Sequence, residues 1–526
     1  MMANLVNICK MGWEHAAIIA IAALLLYTLS LFIYRVYLTP VVNIPGPKLA
    51  AATFWYEFYY DVIEQGRYTW KIRELHEQYG PIVRINPFEV HINDAHYYNE
   101  IYAGPSRRRE KWAWSAAMFG TSTSHFSTLQ HELHRRRRAP LNPFFSKASV
   151  LRLEPMLREV IEHLCTRLGG FRQTKEPVNL RHAFAAVTMD VVTDYAFGTS
   201  YKCLDDPDFA PVWPEAVDSV SEQSVSGEND TFGAELISGQ HMNKQFPWLL
   251  PLMRLTPIWL VERMNPHVMR LIKLQMDLAT QVSKHVNGQA SDDKVSDHPT
   301  IFHELLKPGS LPAEERIIEH LVGEAQAVVA AGQVTTTHYL NTTAYHILAR
   351  PEILAQLKAE LKSVMRDGSL PSLRELEQLP FLSAIVLEGY RISYGPTHRL
   401  QRIAPDEALV YKSYVLPAGT PMSMTSILIH ENEELFPDPK SFKPERWIEP
   451  GAREKLSNYM VNFSKGTRGC LGQHLAAAEI HLTLAAIFSR FDFEIYKTTL
   501  EDIAVEHDFF NPQPRRGAVG LRAIVH

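Results

Sequence analysis

The hydrophobic pattern opens with one long apolar run near the N-terminus. Residues 16–34 read AAIIAIAALLLYTLSLFIY, nineteen residues without a charged side chain. At about 1.5 Å of rise per residue, a helix of this length spans roughly 28 Å, close to the thickness of a bilayer's hydrocarbon core. The apolar part of a signal peptide is shorter, at ~7–15 residues, and is followed by a small-residue cleavage site that is not seen here. The pattern therefore predicts a membrane anchor over 16–34, preceded by an N-terminal segment, 1–15.

A proline-rich stretch follows the anchor. Proline lacks a backbone N–H and restricts the residue before it, so Pro45-Gly46-Pro47 cannot continue a helix. We therefore expect 35–48 to form a hinge and 49–526 to form one body. No second apolar run of similar length follows.

Within that body, apolar positions recur mainly at helical spacing, and strand-like alternation is rare and short. The expected fold class is mainly α with small β-sheets (α+β). The predicted helices cover 68–79, 131–139, 150–168, 266–286, 312–349 and 379–391, with another after Cys470, and the strand-like pieces lie at 81–92 and 408–424.

Composition narrows the possible functions. The net charge of −5 comes from 53 basic and 58 acidic residues, which does not suggest a nucleic-acid binder. The four cysteines lie far apart without a C-x-x-C pair, so they indicate neither a zinc site nor a disulfide framework. A reducing environment is expected for the main body.

One of these cysteines has unusual neighbours. The stretch NFSKGTRGCLGQHLA places Cys470 between glycines and just before an alanine-rich helical pattern. Exposed N–H groups at a helix N-terminus favour the thiolate, as a metal ligand or a nucleophile requires. The alternatives are a small buried hydrophobic residue, or a nucleophile paired with His474, which no other motif supports.

The spacing around Cys470 is more specific. Phe463, Gly466, Arg468, Cys470 and Gly472 read F-x-x-G-x-R-x-C-x-G, which resembles the heme-binding loop of the cytochrome P450 family at every defining position. The resemblance implies that the Cys470 thiolate is the axial iron ligand of heme b, that Arg468 binds a propionate, and that Phe463 and Gly472 lie at the cofactor.

Two further segments are similar to structural motifs of this family. Glu388 and Arg391 match its E-x-x-R, and FKPERW matches its P-E-R-F region. The resemblance implies that Arg446 joins Glu388 and Arg391 in a buried network with a structural role.

The predicted long helix contains AAGQVTTTHYL. Ala331, Gly332 and Thr335 match the family's A-G-x-[D/E]-T-T. The small pair would leave room for dioxygen, and the Thr335 hydroxyl would hydrogen-bond to the bound oxygen. Val334 stands where the family has an acid that helps to deliver protons, so the usual delivery route is in question.

Further basic residues match propionate contacts of the family. In HELHRRRRAPLNPFFS, His134 and Arg138 occupy the tryptophan and arginine positions of W-x-x-x-R, and Arg402 matches an arginine downstream of E-x-x-R. Arg399, three positions earlier, is a second candidate for a propionate contact. The tryptophan-to-histidine change keeps a ring that can form hydrogen bonds.

The resemblance covers nearly the whole chain, and it is strongest to membrane-anchored fungal secondary-metabolism members of the trichodiene-oxygenase type. It implies a P450 fold and a heme-thiolate monooxygenase that uses O2 and electrons from NADPH-cytochrome P450 reductase to oxidise a hydrophobic small molecule, such as a terpenoid. The catalytic domain is expected to face the cytosol from the endoplasmic reticulum membrane. The expected pocket comprises Trp112 to Phe126, Phe209 to Trp248, the Glu324 to Thr335 helix face, Tyr394 to His398, and Phe509-Phe510.

Two other functions are consistent with these motifs. Val334 would suit a heme-thiolate isomerase or dehydratase that acts without a reductase, although Ala331, Gly332 and Thr335 argue against it. A membrane heme carrier or sensor is the non-enzymatic alternative.

Overall fold

The helices dominate the computed structural model, which describes residues 2–120, 123–212, 240–253, 255–264, 266–287, 298–307, 309–365 and 369–526. Ten helices of eight or more residues lie within these ranges: α1 Met2–Ile33, α2 Tyr68–Tyr79, α3 His131–Arg138, α4 Glu154–Thr174, α5 Leu180–Phe197, α6 Pro266–Val286, α7 Ile318–Leu348, α8 Pro351–Val364, α9 Pro380–Ser393 and α10 Gln473–Arg490. Shorter helices cover Lys48–Ala52, Trp55–Phe58, Tyr98–Ile101, Ala113–Ala116, Lys147–Arg152, Gln240–Gln245, Leu249–Met253, Ile258–Met264, Ile301–Leu306, Leu373–Leu376, Ser426–His430 and Ala452–Ser457.

The strands are short and form small sheets. They are β1 Ile82–Arg84, β2 Val90–Ile92, β3 Val178–Asn179, β4 Arg402–Ile403, β5 Leu409–Tyr411, β6 Tyr414–Leu416, β7 Pro421–Ser423, β8 Phe493–Ile495, β9 His507–Phe509, β10 Asn511–Gln513 and β11 Arg522–Val525. In the described chain, β1-β2-β7-β4 form a four-stranded sheet, β3-β11-β8 a three-stranded sheet, and β5-β6 and β9-β10 two hairpins. Both strand-like pieces of the sequence became strands, and the mainly α fold with small sheets is confirmed.

Helix α7 is the centre of the core. It packs against α5, α6, α9 and α10, and it is buried along most of its length. Small residues bring the helices close together: a Cβ at Gly332 would lie 2.9 Å from Val192 Cγ2 on α5, and one at Gly389 would lie 2.4 Å from Tyr339 Oη. Substitutions of these glycines would therefore push α5 or α9 away from α7.

Two predicted helices have different boundaries. The helix predicted over 150–168 is two helices, Lys147–Arg152 and α4, with Leu153 between them. The cause is Pro155 in the first turn of α4, because its ring and missing N–H cannot continue the preceding helix. The helix predicted from Pro312 begins only at Ile318, after one 3₁₀ turn at Ala313–Glu315.

The N-terminal helix is long and apolar enough to cross a membrane, with a candidate span at His15–Leu38. The predicted hinge after it is held to the body at several points. Arg84 N–H donates to Pro45 O at 2.7 Å, the Arg84 side chain donates to Arg35 O at 2.5 Å, and a Cβ at Gly46 would collide with Arg84 O. The proline-rich segment is therefore packed against β1 and is not a free linker.

Candidate active site

The loop before α10 has a tight backbone fold that presents Cys470. The Cys470 N–H donates to Phe463 O at 2.8 Å, and the Gly469 N–H donates to Gly466 O at 3.1 Å. Gly466 has φ +73°, and a Cβ there would lie 2.2 Å from Ala103 O. Glycine at 466 is therefore required by backbone conformation and by the close approach of Ala103.

Cys470 is exposed, yet its thiol is surrounded closely enough by the chain for desolvation to raise its pKa. A residue that lines an internal space has this combination of properties. Burial raises the pKa of Cys470, while the N–H groups of Gly472 and Gln473 and the charge of Arg138 act in the opposite direction. These donors would stabilise a thiolate once a bound metal displaces the proton.

The other sequence-predicted loop residues lie on either side of this thiol. A Cβ at Gly472 would meet nothing within 4 Å, so the chain itself does not require a glycine there. The half-buried Phe463 ring packs edge-on against Tyr390 at 4.9 Å. Gly472 thus leaves open space beside Cys470, whereas Phe463 joins the loop to α9.

Four basic side chains gather near this loop. Arg468 donates to Thr128 O at 2.7 Å and to Leu129 O at 2.6 Å, Arg138 donates to Gly469 O at 2.7 Å, and Arg402 donates to Gln401 O at 2.9 Å. The fourth, Lys111, donates to Phe126 O. Among the residues that the structure describes, no carboxylate forms an ion pair with any of the four. We refer to Lys111, Arg138, Arg402 and Arg468 as the unpaired cation cluster.

Burial opposes the charges of this cluster. It lowers the pKa of Arg402, and together with Arg402 and Arg138 it lowers the pKa of Arg468 to about 9. Burial and the charges of Arg402 and Arg468 hold the pKa of Lys111 well below its usual value. Because buried cations are costly without counter-charges, the cluster suits a ligand with two carboxylates, as heme has. The residues fit the predicted cofactor.

His134 borders the same cluster. It is 3 % exposed, and burial together with Arg468, His125 and Arg138 lowers its pKa to about 2. The ring is therefore neutral at physiological pH and can donate one hydrogen bond and accept another. The structure thus brings together His134, Arg138, Arg402 and Arg468.

The α7 residues fall into two groups. Ala331 and Thr335 are exposed one turn apart, and Thr335 Oγ1 donates to Ala331 O at 2.9 Å. Gly332 faces Val192 on α5, so its missing side chain serves helix packing. Val334 is buried in the apolar core. Ala331 and Thr335 are the α7 motif residues that remain accessible for a ligand.

The predicted structural network is confirmed. Arg391 Nη2 binds Glu388 Oε1 at 2.7 Å, and Arg446 Nε binds Glu388 at 3.2 Å. Trp447 Nε1 also donates to Glu388 Oε2 at 2.9 Å, a partner that the motif does not reveal. The other N–H groups of the Arg391 guanidinium donate to the backbone carbonyls of His430, Pro439 and Ser441.

The expectation for Arg399 was wrong. Its side chain binds Glu89 Oε1 at 3.0 Å and Glu57, both fully buried, and so faces away from the unpaired cation cluster. Lys244 binds the same Glu57 at 2.5 Å. The two carboxylates outcompete any more distant anion for this arginine, because they neutralise it at contact distance.

Three of the expected pocket segments supply aromatic rings or polar contacts. Phe119 lies 4.8 Å from Phe126 and 5.0 Å from Phe510, ring centre to ring centre. Tyr394 and His398 instead direct their polar atoms to Glu431 at 2.6 Å and Asp508 at 3.2 Å. Of the Phe209 to Trp248 segment, residues 213–239 lie outside the described residues.

Sequence reasoning missed two groups near the site. Lys111 belongs to the unpaired cation cluster, and no motif marks it. His125 Nδ1 lies 2.7 Å from Glu324 Oε2 and joins the loop before α3 to α7. Glu324 was named only as a helix-face residue, and a partner 199 positions away gives no local signal in the sequence.

Comparison with known proteins agrees with this geometry. The sequence profile of the cytochrome P450 family matches residues 45–517. An N-acetyltryptophan 6-hydroxylase of Emericella nidulans is 44% identical over 502 residues, covering 94% of each chain. A tryptophan 6-hydroxylase of Fusarium equiseti is 41% identical over 509 residues, 96% of each chain. A conidiogenone synthase of Penicillium rubens is 39% identical over 506 residues, 95% of this chain and 97% of the relative. The chain belongs to the cytochrome P450 family, among fungal secondary-metabolism monooxygenases that hold heme b through a cysteine thiolate.

Proposed function

We propose that this enzyme hydroxylates or otherwise oxidises a hydrophobic secondary metabolite, with O2 and with electrons from NADPH-cytochrome P450 reductase. The observation that carries the proposal is the exposed Cys470, whose thiol is desolvated by the surrounding chain, beside basic groups that lack carboxylate partners among the described residues. Heme, when bound there, supplies the activation of dioxygen.

The chain's own residues would hold the cofactor in place. Cys470 would bind the iron, with its thiolate steadied by the N–H groups of Gly472 and Gln473. The guanidinium groups of Arg138, Arg402 and Arg468 would bind the two propionates, since charge-assisted hydrogen bonds to carboxylates are strong. His134 and Lys111 would complete this polar edge, and Phe463 and Gly472 would lie at the iron side.

Thr335 and Ala331 would act on the other side. The Thr335 hydroxyl now donates to Ala331 O, and a small rotation would let it donate to a bound ligand and accept a proton from water. Ala331 would keep the neighbouring space free of bulk. Gly332 would act indirectly, by letting α5 hold α7 in position.

The substrate is proposed to carry a large hydrophobic ring system. Phe119, Phe126 and Phe510 supply aromatic surface in the expected pocket. A terpenoid skeleton suits such a surface, and the relative named conidiogenone synthase is consistent with one. An indole derivative is the second candidate, because two relatives are named for hydroxylating tryptophan or N-acetyltryptophan.

We further propose the following arrangement in the cell. After the short segment 1–15, residues 16–34 anchor the enzyme in the endoplasmic reticulum membrane. Residues 35–48 connect this anchor to residues 49–526, which form the heme-thiolate domain in the cytosol. The apolar span at His15–Leu38 supports the anchor. Exposed arginines of α3 would attract an acidic reductase, and salt would weaken that attraction.

The test is expression of the full chain with a P450 reductase, followed by supply of terpenoid and tryptophan-derived candidates. A red-shifted Soret band of the reduced, CO-bound protein, lost in Cys470→Ala, would establish thiolate ligation. Turnover that needs NADPH and O2 would support the monooxygenase. Substrate conversion without either would instead identify a heme-thiolate isomerase or dehydratase, and a loaded protein that converts no candidate would favour a carrier or sensor.

A further inference from the structure

A row of buried titratable groups runs from the unpaired cation cluster to α7. The His134 and His125 ring centres lie 6.2 Å apart, and His125 Nδ1 lies 2.7 Å from Glu324 Oε2. Glu324 also accepts the His125 backbone N–H through Oε1. All three residues are at most 8 % exposed. His134 stands where the family has a tryptophan, whose ring cannot accept a proton.

The row continues toward the surface through a small cavity. The cavity has room for about one water molecule, and Glu324 lines it together with Arg137, Glu315 and His320. Glu315 accepts a hydrogen bond from Arg137 Nε at 2.8 Å, and His320 Nδ1 lies 2.8 Å from Glu315 without the geometry of a hydrogen bond. The His320 side chain is 21 % exposed, so this end of the row reaches solvent.

The geometry at Glu324 is that of a proton-transferring pair. A carboxylate that accepts a hydrogen bond from Nδ1 fixes the tautomer of the imidazole and leaves Nε2 to exchange a proton. Each proton taken up at one ring nitrogen is matched by one released from the other, so no net charge accumulates. Burial, together with the positive charges of Arg468, Arg138 and Lys111 and the neighbouring His125, keeps His134 neutral between transfers.

We propose that Glu324, His125 and His134 conduct protons from the His320 surface to the cofactor space and replace the acid that is missing at position 334. This proposal rests on the proposed monooxygenase function, whose reaction consumes protons. Val334 is buried among apolar side chains and offers no alternative donor. Arg137 and Glu315 face the surface side of the row, and Lys111, Arg138 and Arg468 face its inner side at His134.

Two parts of the route require water: the step between His125 and His134, whose ring centres lie 6.2 Å apart, and the last part. Thr335 lies eleven positions beyond Glu324, or about 16 Å along α7. The exposed Ala331 and Thr335 border the space that this water would fill. The row therefore leads from solvent to the edge of the cofactor space, and water would have to carry the proton from there to Thr335.

The test compares Glu324→Gln and His125→Gln in the full-length enzyme with the wild type, in H2O and in D2O. Glu407→Gln is the matched control, because Glu407 also pairs with an arginine near this loop, at 2.7 Å, but lies outside the row. We expect substrate-dependent O2 consumption to fall at least about tenfold in both test variants, with a larger solvent isotope effect. The control should match the wild type.

A second measurement is independent of turnover. Spectroelectrochemistry gives the heme reduction potential as a function of pH, and its slope should become shallower in His125→Gln, because electron uptake would no longer be coupled to proton uptake along the row. The reduced CO-bound spectrum identifies variants that hold heme correctly. If Glu324→Gln fails to load heme, His125→Gln carries the test.

The outcomes separate the two proposals. Loaded variants with an unchanged isotope effect and an unchanged potential slope would overturn the proton path, while an active wild type would leave the monooxygenase intact. A wild type that shows thiolate-ligated heme but no NADPH-dependent O2 consumption would overturn the proposed function. The potential slope would then decide the proton path alone.

Discussion

Two sets of buried arginines in this molecule differ in their counter-charges. Arg391 shares the fully buried Glu388 with Arg446, and Arg399 is held between Glu57 and Glu89. Arg402 and Arg468 are also buried, yet among the described residues only backbone oxygens accept their hydrogen bonds. In the first set, carboxylates of the chain neutralise the arginine charges. In the second set, only a bound ligand could neutralise them. Both sets contain buried arginines, so burial does not distinguish them. The absence of carboxylate partners from the second set does.

Removing an arginine from the first set and removing one from the second should change the free energy of unfolding in opposite directions. Breaking a buried ion pair leaves one charge without its partner and is strongly destabilising. Removing a buried cation that lacks a carboxylate partner takes away a desolvation cost and leaves no opposite charge unpaired, although a carbonyl loses its donor. Substitutions in the paired set should therefore damage the fold, and those in the unpaired cation cluster should damage cofactor binding.

The largest effect is expected for Arg391→Ala. It leaves Glu388 with Arg446, Trp447 and the Lys443 N–H as donors but without its fully buried cation, so the free energy of unfolding should fall by about 3–5 kcal/mol. Urea denaturation of the full-length protein in detergent measures the loss. Arg490→Ala is the control, because its more exposed pair with Glu162 should contribute at most about 1 kcal/mol. Equal losses in the two variants would contradict the comparison.

The next effect concerns the unpaired set. Arg402→Met should weaken heme binding by about 1.5–3 kcal/mol, or about tenfold to a hundredfold, because one charge-assisted contact is lost. The apoprotein should be as stable as the wild type, or more so. Transfer of heme to an excess of acceptor apoprotein measures the first quantity, and urea denaturation the second. Arg108→Met, at an exposed arginine, controls for the lost charge. A large loss of apoprotein stability would show that Arg402 belongs with the paired set.

A pH experiment tests why His134 is neutral. Its pKa is about 2 in the folded chain, far below the usual 6.5, because of burial and the nearby cations. The unfolded chain therefore binds a proton below pH 6.5 that the folded chain refuses, and stability falls as the pH drops toward 2. Between pH 7 and pH 5 this group should cost the apoprotein about 2 kcal/mol. His134→Phe should lack that part of the loss in urea denaturation, and identical pH dependence would refute the assignment.

The smallest effects separate two glycines of the same loop. Gly466→Ala should destabilise the apoprotein by at least about 1 kcal/mol, because φ is +73° and Ala103 O leaves no space. Gly472→Ala meets nothing within 4 Å, so apoprotein stability should not change, while heme loading should decrease. Denaturation and the reduced CO-bound spectrum measure the two quantities. A reversed order of stabilities would mean that Gly472 serves the fold.

The sequence predicted features whose causes are local. Helix α2 matches its predicted bounds, 68–79, because helical periodicity ends at Gly80. The Glu388–Arg391 pair was found because two residues three positions apart on one helix define it. The division of 150–168 at Pro155 is also local and could have been read from the proline.

The remaining features depend on the fold. Arg399 and Glu89 are 310 positions apart, and the partners of Lys111, His125 and Glu324 come from other elements. The sequence also grouped Gly332 with Ala331, while the structure turns it toward Val192 on α5. Helical periodicity gives the angle between two side chains around the helix axis. Only the packed structure shows which neighbouring element each side chain faces.

Because the charges of the unpaired cation cluster are compensated only when heme is bound, the amount of this enzyme in a cell should depend on the supply of heme. A ligand that binds only the folded chain stabilises it in proportion to the logarithm of its free concentration. Chains made when heme is scarce would keep their buried cations unmatched and unfold more often, and cellular proteases degrade transiently unfolded chains. We therefore expect iron supply to set how much of this protein a cell retains, even at constant transcription.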